Sequence, residues 1–299
     1  MKRLTRTHVI AAGIIACLAA PAVIAQSEKV SIRMAPRPDQ STRVTMTQEM
    51  VIDMTVDGAA AVPGLTPMRM SMTSTMGMTQ KTGAIKPDGT VDAELTYDQI
   101  RAEMTMNGQP MPAGDMNNPL VGKPVIVTYS RNGEMVDIKG LPATGLTDEA
   151  FKQMLGSFYG NLPAVALSVG ETTTTPMDFG LPLPLPLPGA GPMKMTGETR
   201  TKLVSIDKDV RGRSARFDSA IDGKMVMELG SPDGKAKMVM NFSLGGTGTM
   251  VMDLDKGMLR SGLTTSTLVG KMDTPAGAAP AALPGMNMIA TIKMTITSD

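Results

Sequence analysis

Apolar and polar residues alternate along most of this chain. The clearest case is Met68–Thr79, where methionines occupy alternate positions and Arg, Ser or Thr fills most of the others. The segment Thr45–Asp57 alternates in the same way. Further alternating segments lie at residues 225–229, 238–244, 250–254 and 286–296. Strict alternation with many Thr and Val residues indicates half-buried antiparallel strands rather than helices.

Turn motifs separate the alternating segments. Short runs at residues 86–89, 130–133, 231–234 and 255–257 place Gly or Asn where a turn favours positive φ. The pattern predicts about twelve strands, several of them longer than the usual five or six residues. The predicted fold is therefore mainly β, with long antiparallel strands forming a curved sheet or half-open barrel.

One segment has a helical period instead. Between residues 147 and 159, apolar residues recur at helical spacing, and Thr147 can act as the N-cap. These apolar residues are Phe151, Met154, Leu155 and Phe158. The pattern predicts one amphipathic helix near 147–159 that packs its apolar face on the sheet.

A proline-rich run divides the chain. Residues 181–192 read LPLPLPLPGAGP, and alternate prolines cannot donate the hydrogen bonds of a central strand. We expect a stiff, extended linker at 176–192 between an N-terminal β-sheet half with the helix, at 26–175, and a C-terminal β-sheet half, at 193–299. The pattern is compatible with two domains or with two halves of one curved sheet.

The N-terminus has the pattern of an export signal. Three of the first six residues are basic, and the apolar stretch Val9–Ala20 follows them. We predict a signal peptide at 1–25, cut after Ala25, which sends the protein to the periplasm or outside the cell. A lipobox ending at Cys17 is an alternative, in which a lipid on Cys17 would anchor the protein. A retained anchor is a third, although the stretch is at the short limit for a membrane span.

Composition excludes many kinds of chemistry. The chain has one Cys and one His, Cys17 and His8, and both lie in the predicted signal peptide. Without them a Ser-His-Asp triad, a cysteine nucleophile, a Cys/His zinc site and haem ligation through His or Cys are all impossible. The near-neutral charge and the few aromatic residues exclude nucleic-acid binding. We therefore expect no enzymatic activity, no cofactor and no metal site of these classes.

Three short motifs imitate functional ones. Ser205–Lys208 reads S-x-x-K and Lys81–Gly83 reads K-T-G, but their order is the reverse of that in serine acyltransferases. Asp253 and Asp255 precede Gly257, yet the loop is too short for a calcium-binding EF-hand. We interpret the first two as chance and the third as a turn.

Methionine is the unusual residue, with 30 in the chain. It can replace Leu and Ile as a flexible filler of the core. A methionine-lined face can also be an adaptable surface for lipid-like ligands. Finally, soft thioethers select Cu(I), but such a site needs exposed, converging sulfurs, and the alternation directs these side chains inward with Ile, Leu and Val.

The middle of the chain resembles a known family. Residues 118–140 (NPLVGKPVIVTYSRNGEMVDIKG), the predicted helix and residues 161–175 (NLPAVALSVGETTTT) are similar to exported bacterial β-rich proteins of unknown function. Members of that family resemble the half-barrel of lipoprotein carriers and lipid-binding lipoproteins. The resemblance is best over 118–175, and it implies a curved antiparallel sheet with an apolar concave face that the helix partly plugs.

Together these observations predict a non-enzymatic envelope protein that binds or shields an apolar, lipid-like ligand on a methionine-lined concave β face. The predicted lining residues are Met70, Met72, Met76, Met78, Met238, Met240, Met250 and Met252. The alternatives are a periplasmic Cu(I)-handling protein and a structural envelope protein with a filled core. The expected partner is lipid or another envelope component, with membrane contact only through the signal segment or a lipid on Cys17.

Overall fold

A computed structural model describes residues 28–31, 37–56, 67–111, 121–131, 133–141, 165–181, 193–230, 237–273 and 286–299. The predicted signal peptide at 1–25 and the predicted helix at 147–159 lie outside these residues. The described residues form strands, turns and short connections, and none of them is α-helical. Within them, no helix has the length and apolar character needed to cross a membrane.

Fourteen strands occur in the described residues. In chain order they are β1 (Val30–Ser31), β2 (Ser41–Val56), β3 (Met68–Ile85), β4 (Val91–Met106), β5 (Gln109–Met111), β6 (Pro124–Tyr129), β7 (Met135–Lys139), β8 (Ala166–Leu167), β9 (Thr172–Leu181), β10 (Met193–Asp209), β11 (Gly212–Gly230), β12 (Lys237–Asp253), β13 (Met258–Asp273) and β14 (Met286–Ser298).

Twelve of the strands form one open antiparallel sheet. Its order is β7-β6-β4-β3-β2-β14-β13-β12-β11-β10-β9, and β5 pairs with β4 beside that path. The predicted N-terminal and C-terminal halves meet inside this sheet, because β14 pairs with β2 along its length, from Met286 opposite Val56 to Ser298 opposite Val44. The prediction of a mainly β protein with long antiparallel strands is confirmed.

Local sequence explains how the long strands keep one apolar face. A register shift between Gly77 and Met78 adds one residue to β4. Tyr97 therefore faces Met78 and Ile100 faces Met76, although Tyr97 and Ile100 are three positions apart. Without this bulge, one half of β4 would turn its apolar side chains to the other side of the sheet.

The first six residues of the predicted linker at 176–192 belong to a strand. Residues 176–181 form the end of β9, which pairs with β10 up to Leu181 opposite Met193. Pro176 fits there because β9 lies at the edge of the sheet, where a missing amide hydrogen disturbs no second neighbour. Residues 182–192 lie outside the described residues.

A small second layer covers part of the large sheet. Strands β1 and β8 pair with each other, Val30 opposite Leu167. These two side chains pack on β10, β11 and β12. We call the resulting group the sealed cluster: Val30, Leu167, Leu203, Ala215, Phe217 and Met252, each at most 5% exposed. Two further buried clusters lie around Phe242 and around Val125.

Candidate functional site: a methionine-lined sheet face

The strand register places the alternating apolar residues in rows across the sheet, because residues directly opposite each other on antiparallel strands project from the same face. One row crosses six strands from β4 to β12: Met106, Met70, Ile52, Ala290, Leu268 and Leu244. The next row begins with Met104, Met72, Met50 and Ile292. The apolar residues of these strands thus share one face.

Methionine dominates that face on strands β2 to β5. Eleven methionines lie there. All but Met78, which packs against the cluster around Val125, form what we call the methionine patch: Met46, Met50, Met54, Met68, Met70, Met72, Met76, Met104, Met106 and Met111. All ten are half-buried. In the described part of the chain, none of them packs against one of the three buried clusters. The patch is therefore an apolar surface that remains partly open to solvent.

The turn between β4 and β5 fixes one end of the patch. Asn107 and Gly108 have φ values of 50° and 78°, as in the two-residue type I′ turns that suit hairpins. The Arg69 amide donates to Asn107 Oδ1 at 2.8 Å, and the Asn107 amide donates to the Arg69 carbonyl at 2.7 Å. These bonds tie the turn to β3 and hold Met106 opposite Met70.

The structure divides the eight predicted lining residues among several places. Met70, Met72 and Met76 belong to the methionine patch. Met78 packs against the cluster around Val125, Met240 against the cluster around Phe242, and Met250 against the sealed cluster. Met252 is inside the sealed cluster at 2% exposure. The backbone of Met238 lies on β12, and its side chain is outside the described residues.

The predicted lining lacks seven methionines of the patch. They are Met46, Met50 and Met54 on β2, Met68 on β3, Met104 and Met106 on β4, and Met111 on β5. The alternation in β2 marks the first three as facing one side, and the Met-x-Met pair at 104 and 106 is the corresponding signal in β4. Their position beside Met70 and Met72 depends on which strands pair, and alternation does not contain that information.

Small and hydroxylated residues interrupt the face on the C-terminal strands. Gly246 and Gly248 lie opposite Ser266 and Thr264 of β13. A Cβ atom on Gly246 would come within 2.6 Å of Ser266 Oγ, so the serine hydroxyl occupies the space above the glycine. The continuous methionine surface is consequently confined to the β2 to β5 side of the sheet.

A charged cluster lies at the end of the sheet beside the sealed cluster. Arg260 Nη2 donates to Asp253 Oδ2 at 3.0 Å, and Arg260 Nη1 donates to Asp209 Oδ2 at 3.1 Å. Burial raises the pKa of Asp253, but hydrogen bonds from the Lys256 amide and from Arg260 outweigh it and hold this pKa below its ordinary value. Asp253 also accepts from the Asp255 amide, as expected for a turn.

A cavity of about 350 Å³ adjoins this charged cluster. Its lining combines charged residues with parts of β1 and of the β12–β13 turn: Glu28, Lys29, Val30, Ser31, Arg37, Arg213, Met252, Asp253, Leu254 and Gly257. Arg213 pairs with Glu28, and Arg37 donates to the Leu254 carbonyl. The first of these pairs joins the residues just before β1 to β11.

Among the described residues, no group of three or more His, Cys, Asp or Glu side chains is placed to hold a metal ion. The charged residues near the methionine patch, such as Glu49, Asp53 and Arg69, lie at odd positions of β2 and β3 and face the other side of the sheet. The face of the patch itself carries uncharged side chains, including Gln48 and Ser74. The site offers apolar contact and thioether sulfur.

Fold and site define an open antiparallel β-sheet protein with one methionine-lined face. No family model and no curated protein matches the chain. Among solved structures, it is similar to lipovitellin, in a study of lipid–protein interactions, with 12% identity and a TM-score of 0.44. That similarity covers 89% of this chain and 25% of the lipovitellin chain, so this chain spans about a quarter of that protein.

Two further solved structures are similar at lower TM-scores. Salmonella typhi OmpF, in complex with daunomycin, has 8% identity over 86% of this chain and 98% of its own, with a TM-score of 0.28. Pseudomonas aeruginosa OccK11 (OpdR) has 8% identity over 90% of this chain and 99% of its own, with a TM-score of 0.18. The function of this chain is therefore inferred from its own residues.

Proposed function

We propose that this chain is a non-enzymatic envelope protein that binds or shields an apolar, lipid-like ligand on the methionine patch. The proposal depends on one observation. Ten methionines on one face are partly exposed, and within the described residues none of them packs on a buried cluster. Contiguous exposed apolar surface is uncommon on monomeric proteins, and it marks ligand or partner sites.

The dimensions of the patch suit an elongated ligand. From Met68 to Met76 the patch follows β3 for eight residue steps, which is about 26 Å at the rise of a β-strand. Across β2, β3 and β4 it is about 10 Å wide. A ligand lying along β3 would contact methionines from three strands at once, and each Å² of apolar surface removed from water contributes about 25 cal/mol.

Side-chain chemistry supports an apolar ligand of variable shape. Methionine is unbranched, has three rotatable side-chain bonds and adapts to irregular surfaces. Acidic and basic side chains of β2, β3 and β4 near the patch project from the opposite face. A charged headgroup would therefore lie beyond the patch, and the patch itself would hold an acyl chain or a similar apolar group.

A charge placed in the patch tests this proposal. The Met72→Asp variant should lose binding of a fluorescent fatty-acid analogue, because an unpaired carboxylate in an apolar contact is costly. Thr75→Asp is the matched control, since Thr75 is on the same strand, faces the other side and lies opposite Arg101. Fluorescence titration of both variants and the wild type measures the difference. Unchanged binding by Met72→Asp would contradict the site, and no binding by the wild type would contradict the function.

The envelope location rests on the N-terminal sequence and has its own test. A signal peptide cut after Ala25 gives a mature chain that begins at Gln26. Intact-mass measurement of protein from the periplasmic fraction should show that start. A diacylglyceryl-modified chain beginning at Cys17 would show a lipoprotein instead. An uncleaved chain in the cytoplasm would contradict the proposed envelope location.

A further inference from the structure

We propose that three neighbouring sulfurs from a row of four methionines in register across β2, β3, β4 and β5 bind a soft monovalent metal ion, with Cu(I) as the natural candidate. The four are Met50, Met72, Met104 and Met111, which we call the thioether row. Met50 is the direct partner of Met72, Met72 of Met104, and Met104 of Met111. This site goes beyond apolar ligand binding, because it would take a metal ion with no lipid present.

Register is what makes these sulfurs available to one ion. Directly opposite residues on antiparallel strands have Cβ atoms about 5 Å apart, and each thioether stands at the end of a flexible side chain. Sulfurs from three adjacent strands can therefore reach a common point while the backbone stays in place. Methionines that alternate along a single strand, such as Met70 and Met72, are less well placed, since they are separated by two residue steps of about 3.3 Å each.

Exposure separates the thioether row from other methionine rows. All four of its side chains are half-buried, and none packs on a buried cluster in the described residues. Another row joins Met68, Met54 and Met288, but Met288 packs against the cluster around Phe242. A third passes through Met240, which packs against the same cluster. Only the thioether row among these combines register with solvent access for every member.

Within the described residues, hydrogen bonds to sulfur occur at methionines outside the row. Elsewhere in the described residues, Thr42 Oγ1 donates to Met258 Sδ at 3.5 Å, and Thr199 Oγ1 donates to Met177 Sδ at 3.3 Å. Both of those sulfurs are buried. The described hydrogen bonds include none to the sulfurs of the thioether row.

The chemistry of the thioether sulfurs determines which metal ion the row would bind. Thioethers are soft, neutral donors that favour Cu(I), whereas Ca²⁺ and Mg²⁺ require oxygen ligands and Zn²⁺ is held by thiolate, imidazole or carboxylate. The nearest carboxylates, Glu49 and Glu103, are on the opposite face of the sheet. In the described parts of β2 to β5, no carboxylate lies on this face beside the row. A monovalent ion is favoured over a divalent one there because less charge is left uncompensated.

Competition with a chromophoric Cu(I) chelator under anaerobic conditions tests the site. The wild type should remove Cu(I) from the chelator, and the triple variant Met50→Leu, Met72→Leu, Met104→Leu should bind it at least tenfold more weakly. Leucine keeps the apolar volume and removes the sulfur donors. The matched control is Met46→Leu, Met68→Leu, Met76→Leu, which changes the same number of patch methionines outside the row and should keep wild-type affinity.

Several outcomes would overturn the site. They are a wild type that does not compete with the chelator, equal weakening in the two triple variants, and X-ray absorption that shows nitrogen or oxygen ligands on bound Cu(I) in place of three sulfurs. Circular dichroism of each variant checks that the sheet is intact. The row variant should still bind the fatty-acid probe, so loss of Cu(I) binding with probe binding kept separates this proposal from the apolar-ligand proposal.

Discussion

The sealed cluster and the methionine patch lie on one sheet and arise from the same alternation of apolar residues, yet their surroundings differ. In the sealed cluster, Leu203, Ala215 and Phe217 are 0% exposed, because β1 and β8 lie over them. In the methionine patch every side chain remains half-buried. Alternation thus determines which side of a strand is apolar, and a second layer determines whether that side becomes core.

The two regions also differ in the kind of apolar residue that they use. The sealed cluster combines branched, aromatic and small side chains, which fill a fixed shape. The patch consists of methionines, which fit many shapes at little cost. The composition therefore agrees with the environment: a fixed core where the neighbours are constant, and an adaptable surface where they can change.

The largest effect on stability is expected in the sealed cluster. Phe217→Ala should lower the free energy of unfolding by roughly 3–5 kcal/mol, because it leaves a cavity in a closed core. Met72→Ala in the patch should cost clearly less, since its side chain is already partly solvated. Urea denaturation of both variants measures the difference. Equal losses would mean that the patch is as well packed as the core.

Acid should have the second largest effect on stability, at the charged cluster beside the sealed cluster. The pKa of Asp253 is below its ordinary value of 3.8 in the folded protein. The stabilisation from its charged form is therefore fully present above about pH 4, and it is lost as the pH falls through the folded pKa. Stability measured from pH 6 downward should drop more in the wild type than in Asp253→Asn. Parallel curves for the two proteins would show that Asp253 contributes no pH dependence.

Oxidation should have the smallest effect on stability, but its rate should differ clearly between methionines of the patch and buried methionines. Dilute hydrogen peroxide should convert Met72 and Met104 to sulfoxides before Met252 and Met258, which are 2% and 5% exposed. The free energy of unfolding should remain close to that of the untreated protein, because the new sulfoxides stay in contact with water. Peptide mapping by mass spectrometry gives the order, and early oxidation of Met252 would show that β1 and β8 do not close over the cluster.

The sequence predicted strands well where their signal is local. The alternation at Met68–Thr79 falls within β3, which begins at the same residue and continues to Ile85. The Met-x-Met pair at 250 and 252 has the same signature as the pair at 70 and 72, but β1 and β8 make its surroundings different. Those strands have only two residues each, too few for a periodic pattern.

The alternation of apolar residues did not predict strand order or bulges, for a related reason. The pairing of β14 with β2 joins distant parts of the chain, and neither strand contains a local feature that names its partner. In β4, a period-two reading of the whole strand would put Tyr97 and Ile100 on opposite faces, whereas the bulge brings both to one. Methionines on β2 and β4 could thus be assigned to a face, but their contact with those of β3 could not be foreseen.

The pairing of the second strand with the last one also bears on how the protein folds. Strands β9 to β14 follow one another as neighbours, so contacts within that series are local and can form early. The β2–β14 seam closes a loop that contains most of the chain, and loop closure of that kind slows folding. It can form only after the 13 residues of β14 have been made. Until then β2 and β13 each have an unpaired edge at what becomes the middle of the sheet, so β14 completes the centre of the sheet.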